Sequence, residues 1–209
     1  MGLLKKFFNQ TRKPEGFLGK VIIKGMNFGH AKGADWAMSE LAGEALRPAE
    51  ILDIGCGGGR NAAALLQKYP ASKLTAIDYS PLSVEKTREY NKAMIAAGRC
   101  FVQEGDVSSL DLEPGKFDLA TAFETIYFWP GLKKCFMEVA KVLKPGGRFL
   151  IVNEGDGRDA ASLKFEKIID GMKVYTPEEI EASLREAGFP DVRTFHHPSS
   201  SWIAVLAKK

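Results

Sequence analysis

The residues best placed to do chemistry sit at Asp53-Ile54-Gly55-Cys56-Gly57-Gly58-Gly59, where one acid precedes four closely spaced glycines. Glycine lets the backbone approach a ligand and adopt positive φ, both of which a Cβ would oppose. The Asp53 carboxylate, just ahead of the bend, repels phosphate and suits an ammonium group. Asp78 follows 25 residues later, and a carboxylate there can accept protons from both hydroxyls of a ribose. Asp106 follows Gly105, and Glu124 opens an aromatic stretch that runs through Tyr127 to Trp129. His30, with a side-chain pKa near neutrality, can take a proton from a nucleophile. Together these residues suggest a nucleoside-bearing ligand held beside a general base.

Those side chains need rigid elements to aim them. The apolar run 51–53 reads as a buried strand, the glycines as a sharp bend, and residues 62–69 as the start of a helix. Such junctions, outside the carboxyl ends of strands in open α/β sheets, are where nucleotide-like ligands bind. From residue 50 onward strands and helices alternate, which signals a parallel sheet of right-handed βαβ units. Strands are expected at residues 73–77, 100–103, 117–122 and 148–152. Ser80-Pro81 starts a helix running to about residue 97, Lys144-Pro145-Gly146-Gly147 makes a turn, and a helix with Leu132, Phe136 and Val139 on one face lies between.

Residues 153–175 are polar and helical, a lid. Thr176-Pro177-Glu178-Glu179 is a capping box, and 176–209 carry a helix closed by Gly188 and a hairpin of strands at 192–197 and 202–207. Residues 1–25 show no clean period and are broken by Pro14, Gly16 and Gly19. A helix containing Trp36, Leu41 and Ala45, closed by Pro48, completes an N-terminal helical cap over residues 1–47. The core that would hold the ligand spans 48–152. The fold class expected is α/β: doubly wound, with a seven-stranded, mostly parallel sheet and an antiparallel C-terminal strand.

A chain of 209 residues with 45% apolar and 26% charged content is one domain with a full core. Its net charge of +3 is too mild for a nucleic-acid groove, although Lys5, Lys6, Arg12, Lys13, Lys20 and Lys24 crowd one end. Cys56, Cys100 and Cys135 are odd in number and far apart, so neither a disulfide framework nor a zinc site is suggested, and no metal is expected. A reducing cytoplasm fits. No apolar run reaches the roughly 20 residues of a membrane span. Lys6 occupies the place where N-myristoylation wants Ser or Thr. The apolar, basic start Leu3–Phe8 could rest on a membrane surface, but a helix packed on the domain is the preferred reading. Oligomeric state is not readable.

Two ligands could use the glycine bend. Gly57-Gly58-Gly59-Arg60-Asn61-Ala62 fits the dinucleotide pattern G-x-G-x-x-G/A, which seats a pyrophosphate on a helix N-terminus. S-adenosylmethionine has no phosphate, but carries an amino group and a sulfonium, which suits Asp53. The D-x-G-x-G-x-G form resembles the first motif of class I S-adenosylmethionine-dependent methyltransferases. Asp78, Gly105-Asp106, Phe117-Asp118-Leu119, Val142-Leu143-Lys144-Pro145-Gly146-Gly147 and Tyr175–Glu179 follow in the order and spacing of that family, over residues 48–209.

This resemblance implies S-adenosylmethionine as cofactor, held by Asp53, Gly55, Cys56, Gly57, Gly59, Asn61, Asp78, Tyr79, Ser80, Gly105, Asp106, Val107, Phe123 and Glu124. Asp78 would meet the ribose, Tyr79 would cover the adenine, and Asp106 would meet its amino group; an acid in a turn is the other reading of Asp106, since Gly-Asp is common in turns. Catalytic candidates are His30, Glu124 and Tyr127, with Trp129 as a possible acceptor wall and Glu154 and Asp156 as further acceptor contacts. Methylases of exocyclic base amines carry Asn/Asp-Pro-Pro-Tyr where this chain has Glu124-Thr125-Ile126-Tyr127, which argues against a nucleic-acid acceptor. The activity implied is in-line methyl transfer to a small-molecule acceptor. Rival readings are a nicotinamide-dependent oxidoreductase, a non-catalytic S-adenosylmethionine-binding protein and an aminopropyl transferase with an acidic amine pocket.

Overall fold

The computed structural model describes residues 7–41 and 46–209, so Ala45 and the Leu3–Lys6 start lie outside the described residues. Seven strands form one sheet: β1 (Glu50–Ile54), β2 (Lys73–Asp78), β3 (Cys100–Glu104), β4 (Phe117–Phe123), β5 (Leu143–Asn153), β6 (Asp191–His196) and β7 (Ile203–Lys208). Their order is β3-β2-β1-β4-β5-β7-β6. Pairing is parallel from β3 across to β5, while β7 runs antiparallel to both of its neighbours. This is the doubly wound sheet expected, with its reversal between β1 and β4. In β1 the residues Ile51 to Ile54 are all buried, as befits a central strand covered on both faces.

The helices are α1 (Gly16–Gly29), α2 (Ala31–Glu40), α3 (Arg60–Lys68), α4 (Pro81–Tyr90), α5 (Lys92–Ala96), α6 (Leu132–Val142), α7 (Ala160–Ile168) and α8 (Pro177–Glu186). One core joins Leu52, Ile54 and Phe117 to Phe136 and Val139 of α6 and Ile180 and Leu184 of α8. The other joins Ile51 and Leu74 to Leu65 and Leu66 of α3 and to Ala34, Ala37 and Met38 of α2. Burying a side chain such as Phe136 stabilises the fold by about 1.5–3 kcal/mol. Trp129 belongs here too, stacked parallel on Phe149 with ring centroids 6.3 Å apart and set edge-on to Phe136. It packs the core and is not an acceptor wall.

Three local expectations change. Gly16 and Gly19 do not break the N-terminal region: α1 begins at one and contains the other, with Gly19, Ile22 and Ile23 buried along its inner face. A Cβ on Gly19 would come within 2.8 Å of the Pro14 carbonyl carbon and 2.9 Å of Leu82, so this glycine permits close packing. The helix after Ser80 divides at Asn91, whose amide donates to the carbonyls of Thr87 (3.1 Å) and Gly59 (2.9 Å) and so ties it to the glycine bend. Lys144–Gly147 is a bulge inside the eleven-residue β5, with the pairing stepping from Phe117–Leu143 to Leu119–Arg148. The capping box at Thr176 and Glu179 forms as expected, and α7, capped by Asp159, supplies the helix of residues 153–175.

Candidate active site

At the carboxyl ends of β1, β2, β4 and β5 lies a cavity of about 470 Å³, roofed by α1, the 8–14 segment and α7. Its volume falls within the roughly 300–1,000 Å³ usual for small-molecule sites. Of the expected residues, His30, Gly55, Cys56, Gly57, Asn61, Asp78, Tyr79, Phe123, Glu124 and Tyr127 line it.

Its first half is made of backbone. Gly55, Gly57 and Gly59 all have positive φ, but for different reasons. A Cβ on Gly55 would strike Thr125 (2.3 Å), and one on Gly59 would meet Asn91 (2.6 Å) and Thr87 (2.8 Å). Gly58 is pressed by Asn27, whose amide donates to the Gly58 carbonyl at 3.0 Å. Only at Gly57 would the Cβ meet no protein atom within 4 Å, although its φ is +54°. Gly57 is thus the one glycine of the bend that leaves room for a ligand rather than for the protein.

Asp78 lies beneath this bend. Its Oδ2 accepts the Gly57 N–H and its Oδ1 the Ser80 N–H, both at 2.9 Å. Burial raises its pKa, opposed by the backbone N–H groups of Ser80, Gly57 and Tyr79. Each oxygen keeps a lone pair that can accept a hydroxyl proton. The Gly57 N–H, already given to Asp78, is not on offer to a phosphate. Together with the space at Gly57, this acceptor and donor set fits the phosphate-free ribose of an S-adenosyl ligand better than a pyrophosphate.

The 8–14 segment closes this half: Tyr79 donates its hydroxyl to the Arg12 carbonyl and Ser80 donates to that of Pro14 at 3.2 Å. On the other side Asn9 and Asp170 exchange two 2.9 Å hydrogen bonds, and Phe8 packs edge-on against Phe165 of α7. Arg12, Pro14, Phe165 and Asn27 line the cavity and no motif in the sequence announces them. Cys56 lines it as well; burial raises its thiol pKa, so it stays protonated and unreactive.

Several expected contacts lie elsewhere. Asp53 is buried beside the cavity rather than on its wall: its Oδ1 accepts from the Thr121 hydroxyl at 2.8 Å, and its Oδ2 is buried with no partner. The pleat turns its side chain toward β4. Burial pushes its pKa up to about 7, against the lowering by Thr121. Gly59 packs against α4, and Ser80 caps that helix. Asp106 accepts the Ser108 N–H at 2.8 Å, the turn role, and Val107 joins the hydrophobic core; with Gly105 they are absent from the cavity wall. Asp156 accepts the N–H groups of Arg158 and Asp159 in a local turn.

The second half of the cavity is made of side chains from three distant segments. His30 joins α1 to α2, Glu124 follows β4 and Glu154 follows β5. His30 Nδ1 lies 3.0 Å from Glu154 Oε2. Glu124 Oε1 accepts the Glu154 N–H at 2.6 Å, and Oε2 accepts the Tyr127 hydroxyl at 3.2 Å. Glu124 is the one non-glycine among the described residues with positive φ, at 56°, a conformation that costs about 1–3 kcal/mol and concentrates at functional sites.

Burial alone would lower the His30 pKa, but the Glu154 hydrogen bond and the charges of Glu124 and Glu154 outweigh it and leave it raised above 6.5. Burial pushes Glu124 up to about 7; the His30 charge opposes this and the Glu154 charge adds to it. Burial, then the Glu124 charge, holds the Tyr127 hydroxyl well above its ordinary value. His30, Glu124 and Glu154 also present one ligand atom apiece within 4.8 Å of each other, a spacing open to a divalent cation. His30 Nδ1 lies at ion-pair distance from Glu154 Oε2 and makes no other hydrogen bond, so the arrangement reads first as a proton-holding pair.

Residues 51–147 match the family model of a methyltransferase domain. The chain is 28% identical over 168 residues to a malonyl-[acyl-carrier protein] O-methyltransferase of Geobacter sulfurreducens, covering 76% of this chain and 62% of that one. It is 30% identical over 173 residues to an O-methyltransferase of Penicillium expansum, covering 78% and 62%. The chain therefore spans about three fifths of the length of these relatives. Among solved structures, a SAM-dependent methyltransferase from Aquifex aeolicus superimposes with a TM-score of 0.75 at 19% identity, covering 90% of this chain and 97% of that one.

Proposed function

The chain belongs to the class I S-adenosylmethionine-dependent methyltransferase family, and from that premise we propose that it methylates a hydroxyl of a small-molecule acceptor. The observation that carries the acceptor chemistry is the His30–Glu154 pair, 3.0 Å apart on the same cavity wall as the strained Glu124. The cofactor, when bound, would supply an electrophilic methyl on a positively charged sulfonium. Gly57, Asp78 and Tyr79 would hold its adenosine side, and the negative charge of Glu124 suits its cationic side.

The chain's own contribution is then alignment and one proton. Holding two reactants in line supplies about 7–11 kcal/mol. A general base adds about 10²–10⁴-fold, or roughly 3–5 kcal/mol. His30 takes the hydroxyl proton, and Glu154 stabilises the imidazolium that results. Glu124, anchored by the Glu154 N–H and the Tyr127 hydroxyl, fixes the floor beneath them. Phe8, Met26 and Phe165 give the cavity an apolar roof. A small acceptor is favoured because the 8–14 segment and α7 narrow the approach to the cavity.

The test is methyl transfer from labelled S-adenosylmethionine across a panel of phenols, enols and aliphatic alcohols. Binding of S-adenosylhomocysteine with no transfer to any of them would favour a binding protein without turnover. Binding of NADH in preference to S-adenosylhomocysteine would favour the oxidoreductase reading.

A further inference from the structure

Helix α1 is apolar on two opposite faces. Its inner face buries Gly19, Ile22 and Ile23 against the domain, and its last turns supply Met26 and Asn27 to the cavity wall. On the outer face Phe17, Val21, Lys24 and Phe28 follow at i, i+4, i+7 and i+11, one stripe of a 3.6-residue helix. Phe17 is 84% exposed, Phe28 88% and Val21 50%. The outer stripe of a helix lying on a soluble domain is ordinarily polar, and two aromatic rings held almost wholly in water mark a surface that something else covers.

The charges on α1 itself are of one sign. Lys20 and Lys24 are exposed on α1, the helix contains no acid, and Arg12 and Lys13 are exposed just ahead of it. The acids nearby are Glu15, directly before the helix, and Glu89, which feels the charge of Lys20. The stripe stands on a single convex helix, whereas a partner protein would need a groove shaped to receive it. A lipid surface receives a convex helix as it is, with rings at the acyl boundary and ammonium groups at the phosphates.

We infer that the outer face of α1 docks this protein reversibly on an anionic bilayer surface. The inference stands apart from methyl transfer, since Phe17, Lys20, Val21, Lys24 and Phe28 lie outside the cavity. It is tested by floating the full chain with phosphatidylcholine vesicles prepared with and without phosphatidylglycerol. The chain should float with the anionic vesicles and be released by salt. Phe17→Ser/Phe28→Ser and Lys20→Glu/Lys24→Glu should each weaken partitioning by about tenfold or more. Unchanged S-adenosylhomocysteine affinity in these variants confirms that the domain is intact. The inference fails if the chain stays in the aqueous phase with anionic vesicles, if the Phe17→Ser/Phe28→Ser variant floats as well as the parent, or if that variant instead abolishes a dimer seen without lipid.

Discussion

The two ends of the cavity are built by opposite means. The glycine end is backbone, folded from residues 55–59 and braced from outside by Asn27, Thr87, Asn91 and Thr125. The acid–histidine end is three side chains, from the α1–α2 joint and from the ends of β4 and β5, meeting only because the sheet places those ends side by side. A site made of backbone tolerates almost no substitution but asks little of distant residues. One made of side chains tolerates graded change, because each group supplies part of the effect. The two ends should therefore fail differently.

The largest failure belongs to Gly57. Gly57→Val puts a branched side chain at φ +54° into space where no protein atom lies within 4 Å, so S-adenosylmethionine affinity should drop by more than about 100-fold while the fold survives a strain of roughly 1–3 kcal/mol. Gly59→Val, whose Cβ would meet Thr87 Cα at 2.8 Å, should instead cost the fold itself. Calorimetry and thermal melts on the two variants give the contrast. Should Gly57→Val keep its affinity, the bend is not where the ligand lies.

His30→Ala should lower kcat/KM by about 10²–10⁴-fold and leave cofactor affinity nearly unchanged. The sign of the pH dependence follows from the raised His30 pKa: the base works only when neutral, so the rate should climb with pH through a midpoint above 6.5. Glu124 and Glu154 act on His30, and Glu124 itself titrates near 7, so some pH dependence survives in the variant. The steeper limb should vanish in His30→Ala. EDTA should have no effect; loss of activity restored by a divalent cation would make the three groups a metal site rather than a base and its partners.

How much of this was readable from the chain follows from the same contrast. The sheet, its reversal and the bend are local patterns: apolar runs, a glycine cluster and Ser80-Pro81 each act within a few residues. The function of each glycine was not local. Gly59 is fixed by Asn91, 32 residues away, and Gly58 by Asn27, 31 away. His30 and Glu124 stood out by residue type, but their meeting through Glu154 depends on topology. Gly16 and Gly19 read as breakers because glycine's usual effect in a helix is entropic; here the contact of Gly19 with Pro14 and Leu82 prevails. The roof from Arg12 to Pro14 has no signature, since backbone carbonyls make its contacts with Tyr79 and Ser80.

Asp53 tests where the wall of the glycine end stops. Its folded pKa is pushed from 3.8 up to about 7, chiefly by burial and further by the Asp78 charge. The folded protein therefore holds this proton where the unfolded chain releases it. The stabilising contribution is complete below 3.8 and is lost as pH rises to about 7. Asp53→Asn, uncharged and still able to accept from Thr121, should raise the melting temperature at pH 8 and leave it nearly unchanged at pH 4. Because Asp53 lies behind the cavity wall, cofactor affinity should change by less than about threefold, under 1 kcal/mol. A loss as large as that of Gly57→Val would mean that the acid reaches the ligand.

Glu124 offers the finest measurement, because there a single residue carries both a cost and a use. Its φ of 56° is one that glycine adopts freely. Glu124→Gly relieves that backbone strain but also removes the carboxylate that holds the Glu154 N–H and the Tyr127 hydroxyl. Glu124→Gln keeps the strain and much of the hydrogen bonding while discarding the charge. If strain is stored here for function, Glu124→Gly should melt no lower than Glu124→Gln and gain about 1 kcal/mol over it, yet turn over more slowly. The gain would then be backbone relief won against the loss of two hydrogen bonds. Should Glu124→Gly prove the less stable of the two, the carboxylate is holding the β4 and β5 ends together, and this end of the cavity is braced by its own side chains much as the glycine end is braced by its neighbours.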